Sequence, residues 1–151
     1  MHKRPITIMM ADDDADDRSM TAEALQEAHV LNELITFEDG SSLMECLQGR
    51  GSFQEQGPGH LPALILLDLN MPRMDGREVL QALKADPRLR HIPAVVLTTS
   101  KVEEDIVRSY ELGASSFIRK PVTFGALVET LKSFGRYWLE VVELPAEHVS
   151  R

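Results

Sequence analysis

Four short apolar segments of the chain each end at a polar residue that could take part in phosphoryl chemistry. A carboxylate can accept a phosphoryl group, while an ammonium and a hydroxyl can stabilise the charge on its oxygens. Each residue type alone is common at a strand end or on a surface, so only the combination is specific. The four endings are the acidic run Asp12-Asp13-Asp14, Asp68, Thr98 and Lys120.

The acidic run predicts a metal site. Crowded carboxylates do not all ionise cheaply at pH 7 unless a cation sits among them, and hard oxygen ligands favour Mg²⁺. The alternative is helix capping, since acids in a first turn are stabilised by the helix dipole; we assign Asp16 and Asp17 to that role, and Asp14 as the N-cap. A calcium loop is disfavoured, because Asp17 stands where that loop requires glycine.

The four apolar segments have the length of strands and cover residues 6–10, 63–67, 94–97 and 116–119. Residues 64–67 and 95–97 show no polar alternation, which is typical of parallel strands covered on both faces. Side chains at the carboxyl ends of parallel strands project into one shared crevice. We therefore expect the polar endings to meet at one edge of a sheet.

Segments of helical period separate the strands, so the chain alternates β and α and predicts five units with right-handed crossovers onto a parallel sheet. A further strand is expected near residues 34–37, and the Gly- and Pro-rich segment 49–62 is expected to be a surface loop. Helix starts are predicted from Asp14, from capping boxes at Ser42 and Ser100, and from Thr123. The predicted helices cover residues 15–28, 42–49, 76–85, 100–112 and 123–144.

Length and composition limit the classes of protein. With 151 residues we expect one folded domain over residues 1–144 and a tail over 145–151. The net charge of −8 disfavours nucleic acid as a partner. Cys46 is the sole cysteine, which excludes an intrachain disulfide and fits a reducing cytoplasm. The N-terminal apolar stretch is too short for a signal or membrane helix, so we expect a cytoplasmic protein without a membrane segment. The residues after the last predicted helix are too few for a second folded domain, so no attached output domain is expected.

Six spaced motifs resemble the receiver domain of bacterial response regulators over about residues 5 to 140. They are Ala11-Asp12-Asp13-Asp14, Leu66-Leu67-Asp68, Met71-Pro72, Asp75-Gly76, Leu97-Thr98 and Lys120-Pro121. The resemblance implies a doubly wound, flavodoxin-like α/β fold with strand order 2-1-3-4-5 and, here, an extended C-terminal helix. It also implies a phosphoacceptor in a two-component phosphorelay, rather than an enzyme, that takes a phosphoryl group from a histidine of a sensor kinase.

The resemblance assigns a role to each site residue. Asp68 would be the phosphoacceptor, and Mg²⁺ would be held by Asp12, Asp13, Asp68 and the backbone carbonyl of Asn70. Thr98 would hydrogen-bond the phosphoryl group and Lys120 would pair with it. Phe117 would turn inward when Thr98 moves, and the family usually has a cis peptide bond at the position of Pro121.

A narrower resemblance is to small single-domain regulators paired with phytochrome-type histidine kinases. It depends on the run 75–80, the Gly-rich insertion before the third strand, and the ending 137–145. The last helix carries more apolar residues than one buried stripe needs, namely Phe134, Tyr137, Trp138 and Val141. It is a candidate homodimer face together with the fourth helix and fifth strand, although the same residues could instead pack on the sheet.

The same residues disfavour three other functions. A Mg²⁺-dependent phosphohydrolase expects a second acid two residues after its nucleophile, where Asn70 stands. A dinucleotide-binding domain requires a Gly-rich loop after the first strand, where this chain has acids. A phosphate-independent scaffold is disfavoured by the intact set of Asp13, Asp68, Thr98 and Lys120.

Overall fold

The structure, a computed structural model, describes residues 7–28, 33–49, 61–99 and 103–135. Within these residues, five strands and five helices alternate along the chain. The strands are β1 (Thr7–Ala11), β2 (Glu33–Phe37), β3 (Leu64–Leu67), β4 (Ala94–Thr98) and β5 (Ser116–Arg119). The helices are α1 (Ala15–Glu27), α2 (Gly40–Leu47), α3 (Gly76–Ala85), α4 (Glu103–Glu111) and α5 (Phe124–Gly135).

The strands form one parallel sheet in the order β2-β1-β3-β4-β5, which confirms the predicted topology. The last residue of β1, Ala11, pairs with the last residue of β3, Leu67. The connections run in opposite directions from β1 and β3, so the crevice for a ligand opens at the carboxyl ends of these two strands. The residues that follow Ala11 and Leu67 are Asp12 and Asp68.

Apolar side chains pack on both faces of the sheet. Along β1, Ile8 and Met10 belong to a cluster with Leu25 of α1 and Leu131 of α5. The alternate residues of β1 belong to the opposite cluster, which includes Leu43 of α2 and other residues of α2 and α3. A sheet covered on both faces explains the continuous apolar runs, and the doubly wound architecture is confirmed.

Three of the predicted helix starts, those of α1, α3 and α5, agree with the structure, and the predicted start of α2 does not. Asp14 caps α1, α3 has its predicted bounds, and the Thr123 hydroxyl accepts a hydrogen bond from the backbone N–H of Ala126 at 3.1 Å. The predicted capping box at Ser42 is wrong. The carboxylate of Asp39 accepts from the N–H of Ser42 at 2.8 Å, so α2 begins at Gly40. The carboxylate of Asp39 satisfies the N–H of Ser42 in the first turn, so Asp39, and not Ser42, is the capping residue.

Several predictions concern residues outside the described ranges. These are the cap at Ser100, most of the loop over residues 49–62, the tail over 145–151, and the last helix beyond residue 135. Of the apolar residues proposed for the dimer face of that helix, Tyr137, Trp138 and Val141 are among them, and the side chain of Phe134 is likewise not described. No helix in the described part of the chain is both long and apolar enough to cross a membrane.

Candidate functional site

Three carboxylates converge at the carboxyl ends of β1 and β3. Asp12, Asp13 and Asp68 each offer an oxygen, and these three oxygens all lie within 4.8 Å of one another. Asp12 is fully buried and Asp68 is 8% exposed, whereas Asp13 is exposed to solvent. The cluster therefore has a buried floor and an open side, and it brings together the three carboxylates predicted as metal ligands.

Lys120 follows β5 and reaches across the sheet edge to this cluster. Its Nζ atom lies 2.5 Å from Asp12 Oδ2, 2.9 Å from Asp17 Oδ2 and 3.8 Å from Asp68 Oδ2. The Lys120 side chain is 10% exposed, so these ion pairs are largely shielded from water. One ammonium is thus shared among three carboxylates, two of them at hydrogen-bond distance.

Burial and pairing act in opposite directions on the pKa values of this cluster. Burial raises the pKa of Asp12, although its hydrogen bonds from Lys120 and from the backbone N–H of Asp14 work against that shift. For Lys120, burial alone would lower the pKa, but the hydrogen bonds to Asp12 and Asp17 outweigh it and the pKa is raised. Lys120 is therefore a charged ammonium at neutral pH.

Thr98 and Phe117 occupy neighbouring strands beside the cluster. Thr98 is fully buried at the end of β4, and its backbone oxygen accepts a hydrogen bond from the N–H of Lys120 at 2.8 Å. Phe117 is partly buried and packs against the core on the α2 and α3 face. The structure thus brings Thr98 next to Lys120, while the switching roles of Thr98 and Phe117 stay predictions.

Two predicted features of the site have different outcomes. Asn70 is exposed two residues beyond Asp68, and its role as a carbonyl ligand stays a prediction. The predicted cis bond at Lys120-Pro121 is wrong for this structure, since the described residues contain no cis peptide bond. A trans bond is favoured by about 0.5–1 kcal/mol before Pro, and Lys120 reaches Asp12 with the trans isomer.

The start of α3 packs directly beneath the backbone of Asp68. A Cβ atom added to Gly76 would lie 2.4 Å from the backbone oxygen of Asp68, so this position accepts only glycine without rearrangement. The N–H of Gly76 donates to the backbone oxygen of Leu69 at 2.9 Å. Asp75 and Glu78 form a reciprocal capping box at the same helix end. The segment after the proposed phosphoacceptor is therefore fixed to a helix terminus.

The β3–α3 segment has a second attachment, which was not predicted from the sequence. Asp39 Oδ2 accepts hydrogen bonds from Arg73 Nη2 at 2.6 Å and Nε at 3.2 Å, while the N–H of Gly40 donates to the backbone oxygen of Met74 at 3.1 Å. Arg73 has a positive φ of 62°, which an arginine rarely adopts. Burial would raise the pKa of Asp39, but the hydrogen bonds from Ser42 and Arg73 outweigh it and the pKa is lowered.

The comparisons with known proteins agree with this geometry. A family model described as "Response regulator receiver domain" matches residues 8–132. The response regulator Rcp1 of Synechocystis sp. is 41% identical over 142 residues, which are 94% of this chain and 95% of the relative.

Two solved structures are similar in both sequence and fold. The crystal structure of the phosphorylated cyanobacterial phytochrome response regulator RcpA is 38% identical, with a TM-score of 0.85 over 94% of this chain and 99% of that one. The Mn²⁺-bound form of Rcp1 is 39% identical, with a TM-score of 0.83 over 93% of this chain and 99% of that one.

Proposed function

Because this chain belongs to the response regulator receiver domain family, we propose that Asp68 is its phosphoacceptor and takes a phosphoryl group from a phosphohistidine of a sensor kinase. One observation carries the proposal: Asp68 lies at the open crevice of the sheet, beside two further carboxylates and 3.8 Å from the Lys120 ammonium. This set of groups can both bind a divalent cation and stabilise a phosphoryl group.

The residues present fit Mg²⁺ as the cofactor. Asp12, Asp13 and Asp68 supply hard oxygen ligands within one small cluster, and the Asn70 carbonyl is proposed as a further ligand. The Mn²⁺-bound form of Rcp1 supports a divalent cation in a relative. When bound, such an ion neutralises charge that would otherwise repel the incoming phosphoryl group.

The transfer step needs a nucleophile, a leaving group and a means of holding charge. An oxygen of Asp68 forms the new P–O bond, and the electron pair of the breaking P–N bond stays on the imidazole of the kinase histidine. Lys120 stabilises the charge on the phosphoryl oxygens because it remains an ammonium at neutral pH. Thr98 is proposed to hydrogen-bond one of those oxygens from the end of β4.

The phosphoryl group is proposed to shift a two-state equilibrium. Thr98 and Phe117 lie on adjacent strands, and β4 residue Val96 pairs with Phe117 in register. An inward shift of Thr98 and Phe117 would change the surface of α4 and β5, and a few kcal/mol of differential interaction suffices for such a switch. The function proposed is thus that of a signalling switch, and not of an enzyme with rapid turnover.

The proposed partners follow from the relatives and from the described surface. RcpA is a phytochrome response regulator, which supports a phytochrome-type histidine kinase as the phosphodonor of this chain. The changed surface would be read by another protein or by a second copy of the chain, through α4, β5 and the C-terminal helix. We propose that this exchange takes place in the cytoplasm, without nucleic acid or membrane.

The phosphoacceptor is tested with acetyl phosphate and MgCl₂, followed by intact mass spectrometry. The wild-type protein should gain one phosphoryl group, and Asp68→Asn should gain none. Asp14→Asn is the matched control, because it removes a neighbouring carboxylate whose role is to cap α1, and asparagine caps a helix as well as aspartate does. Chelation of the metal with EDTA should abolish the gain. Acceptance by Asp68→Asn, or acceptance unaffected by EDTA, would contradict the proposal.

A further inference from the structure

Asp17 has a contact that helix capping does not explain. It lies in the first turn of α1, and its Oδ2 atom is 2.9 Å from Lys120 Nζ although the two residues are 103 positions apart. Its side chain is 32% exposed, so the pair is partly shielded from water. Asp17 is not among the three carboxylates that cluster as metal ligands.

The two close partners of Lys120 differ in what else they can bind. Asp12 lies within the carboxylate cluster and is a proposed metal ligand, whereas Asp17 has no such second role. The ammonium sits 3.8 Å from Asp68 Oδ2, beyond hydrogen-bond distance, while both other carboxylates hold it. Asp17 thus draws the charge of Lys120 toward α1 and offsets part of that charge.

We propose that Asp17 competes with the phosphoryl group on Asp68 for the Lys120 ammonium and thereby weakens the phosphorylated state. The negative charge of Asp17 opposes phosphorylation in two ways. Its hydrogen bond to Lys120 stabilises the unphosphorylated protein and is weakened when Lys120 turns to the phosphoryl group. Its negative charge also repels the phosphoryl oxygens. Asp17 is therefore a positioning residue that acts through Lys120 and lowers the stability of the phosphorylated state relative to the unphosphorylated one.

The chain offers a matched control in Asp16. Both residues lie in the first turn of α1, and both backbone N–H groups donate to Asp14 Oδ1, at 2.9 Å from Asp16 and 3.1 Å from Asp17. Asp16→Asn and Asp17→Asn each remove one negative charge from the first turn, and each loses one favourable interaction with the helix dipole. In the described structure only Asp17 of this pair bonds Lys120.

The probe is beryllium trifluoride, a non-covalent mimic of the phosphoryl group, titrated at saturating MgCl₂. We expect Asp17→Asn to bind it about threefold to tenfold more tightly than Asp16→Asn, the range carried by one partly exposed ion pair. A second readout needs neither metal nor mimic. In the absence of Mg²⁺ and beryllium trifluoride, Asp17→Asn should have a lower free energy of unfolding in urea than Asp16→Asn. The difference between the two variants should become smaller when the mimic is bound, because the Asp17–Lys120 bond stabilises the mimic-free protein.

The inference depends on the proposed function, and the two fail differently. If wild type does not bind beryllium trifluoride, or binds it no better than Asp68→Asn, the phosphoacceptor assignment is wrong. If wild type binds it through Asp68 but the Asp16 and Asp17 variants have equal affinity, the competition is wrong. Weaker binding by Asp17→Asn would also overturn it, because Asp17 would then hold Lys120 in place for the phosphoryl group.

Discussion

Gly76 has no room for a side chain, because an added Cβ atom would lie 2.4 Å from the backbone oxygen of Asp68 and 2.9 Å from Leu69 Cα. Both obstacles are backbone atoms, which do not yield as a flexible side chain would. We expect Gly76→Ala to lower the free energy of unfolding by about 1–3 kcal/mol, the usual cost of overpacking. It should also slow phosphoryl acceptance, since relief of the clash displaces Asp68.

Gly125 is the control for this prediction. A Cβ atom there meets nothing within 4 Å, and the residue lies in the first turn of α5. Gly125→Ala should therefore stabilise the protein by up to about 1 kcal/mol and leave acceptance unchanged. Urea denaturation and the rate of mass gain with acetyl phosphate measure both effects. Equal stability of wild type and Gly76→Ala would show that the backbone yields at little cost.

The site residues differ in how far the sequence could predict them. Asp12, Asp68 and Lys120 were predicted because each directly follows a strand, and parallel strands place such residues at one edge. From its place in the first turn, Asp17 was predicted only to interact with the helix dipole, and its bond to Lys120 was not predicted. No local pattern contains this bond, because it depends on the direction of a long lysine side chain after β5. The wrong cis prediction at Pro121 was taken from the family resemblance, since an X-Pro sequence permits both isomers.

At the scale of the elements, Asp39 connects the start of α2 to the segment between β3 and α3. Its carboxylate caps α2 through Ser42 and binds Arg73, which lies in the segment between β3 and α3. The adjacent backbone adds the bond from Gly40 to Met74. The start of α2 and the segment that follows Asp68 are thus joined by several contacts through one buried carboxylate.

This link predicts a pH-dependent contribution to stability. The pKa of Asp39 is lowered in the folded protein, so its charged form stabilises the fold above the unfolded pKa of about 4. That contribution is lost as the pH falls below about 4, through the folded pKa. Asp39→Asn keeps a capping group but lacks the charge, so its stability deficit against wild type should be full at pH 7 and shrink in acid.

Asp39→Ala separates the cap from the charge. Loss of the capping hydrogen bond should cost about 1 kcal/mol more than the asparagine variant, at any pH where the protein folds. Urea denaturation of the three proteins at pH 7 and below pH 4 measures both effects. A deficit of Asp39→Asn that is the same at both pH values would mean that packing, and not charge, is what Asp39 contributes.

At the same scale, periodicity predicted elements better than it predicted their first residues. The two-sided core explains why β3 and β4 were visible as continuous apolar runs, and α3 has its predicted bounds. The start of α2 was missed because both Asp39 and Ser42 are good capping residues. The choice between them depends on tertiary contacts, namely the close approach of Gly40 to Met74 and the bond from Arg73, which no local pattern records.

For the whole molecule, the site and the proposed signalling surface are physically continuous. Arg77, in the first turn of α3, donates a hydrogen bond to Asp105 of α4 at 2.7 Å. The start of α3 packs beneath the backbone of Asp68, so one ion pair connects the helix that supports Asp68 to α4. On α4, Val107 and Tyr110 are 52% and 49% exposed, and they lie three residues apart on the same side of the helix. These residues offer α4 a contact surface.

The last prediction concerns self-association through this surface. If the phosphorylated chain pairs through α4 and β5, then Tyr110→Ser should weaken the dimer roughly tenfold, because buried tyrosines are frequent hot spots of interfaces. Phe124→Ser is the control for the α4 and β5 part of the face, since Phe124 is another exposed aromatic, 40% accessible, but it begins α5 on the side of Glu27 of α1. Sedimentation velocity across concentrations, with and without beryllium trifluoride, measures the dissociation constant. The dissociation constant of a chain truncated after Leu139 measures how much the end of the C-terminal helix contributes to the dimer. Equal weakening by both serine variants, or a monomer at every concentration, would exclude α4 and β5 as the dimer face.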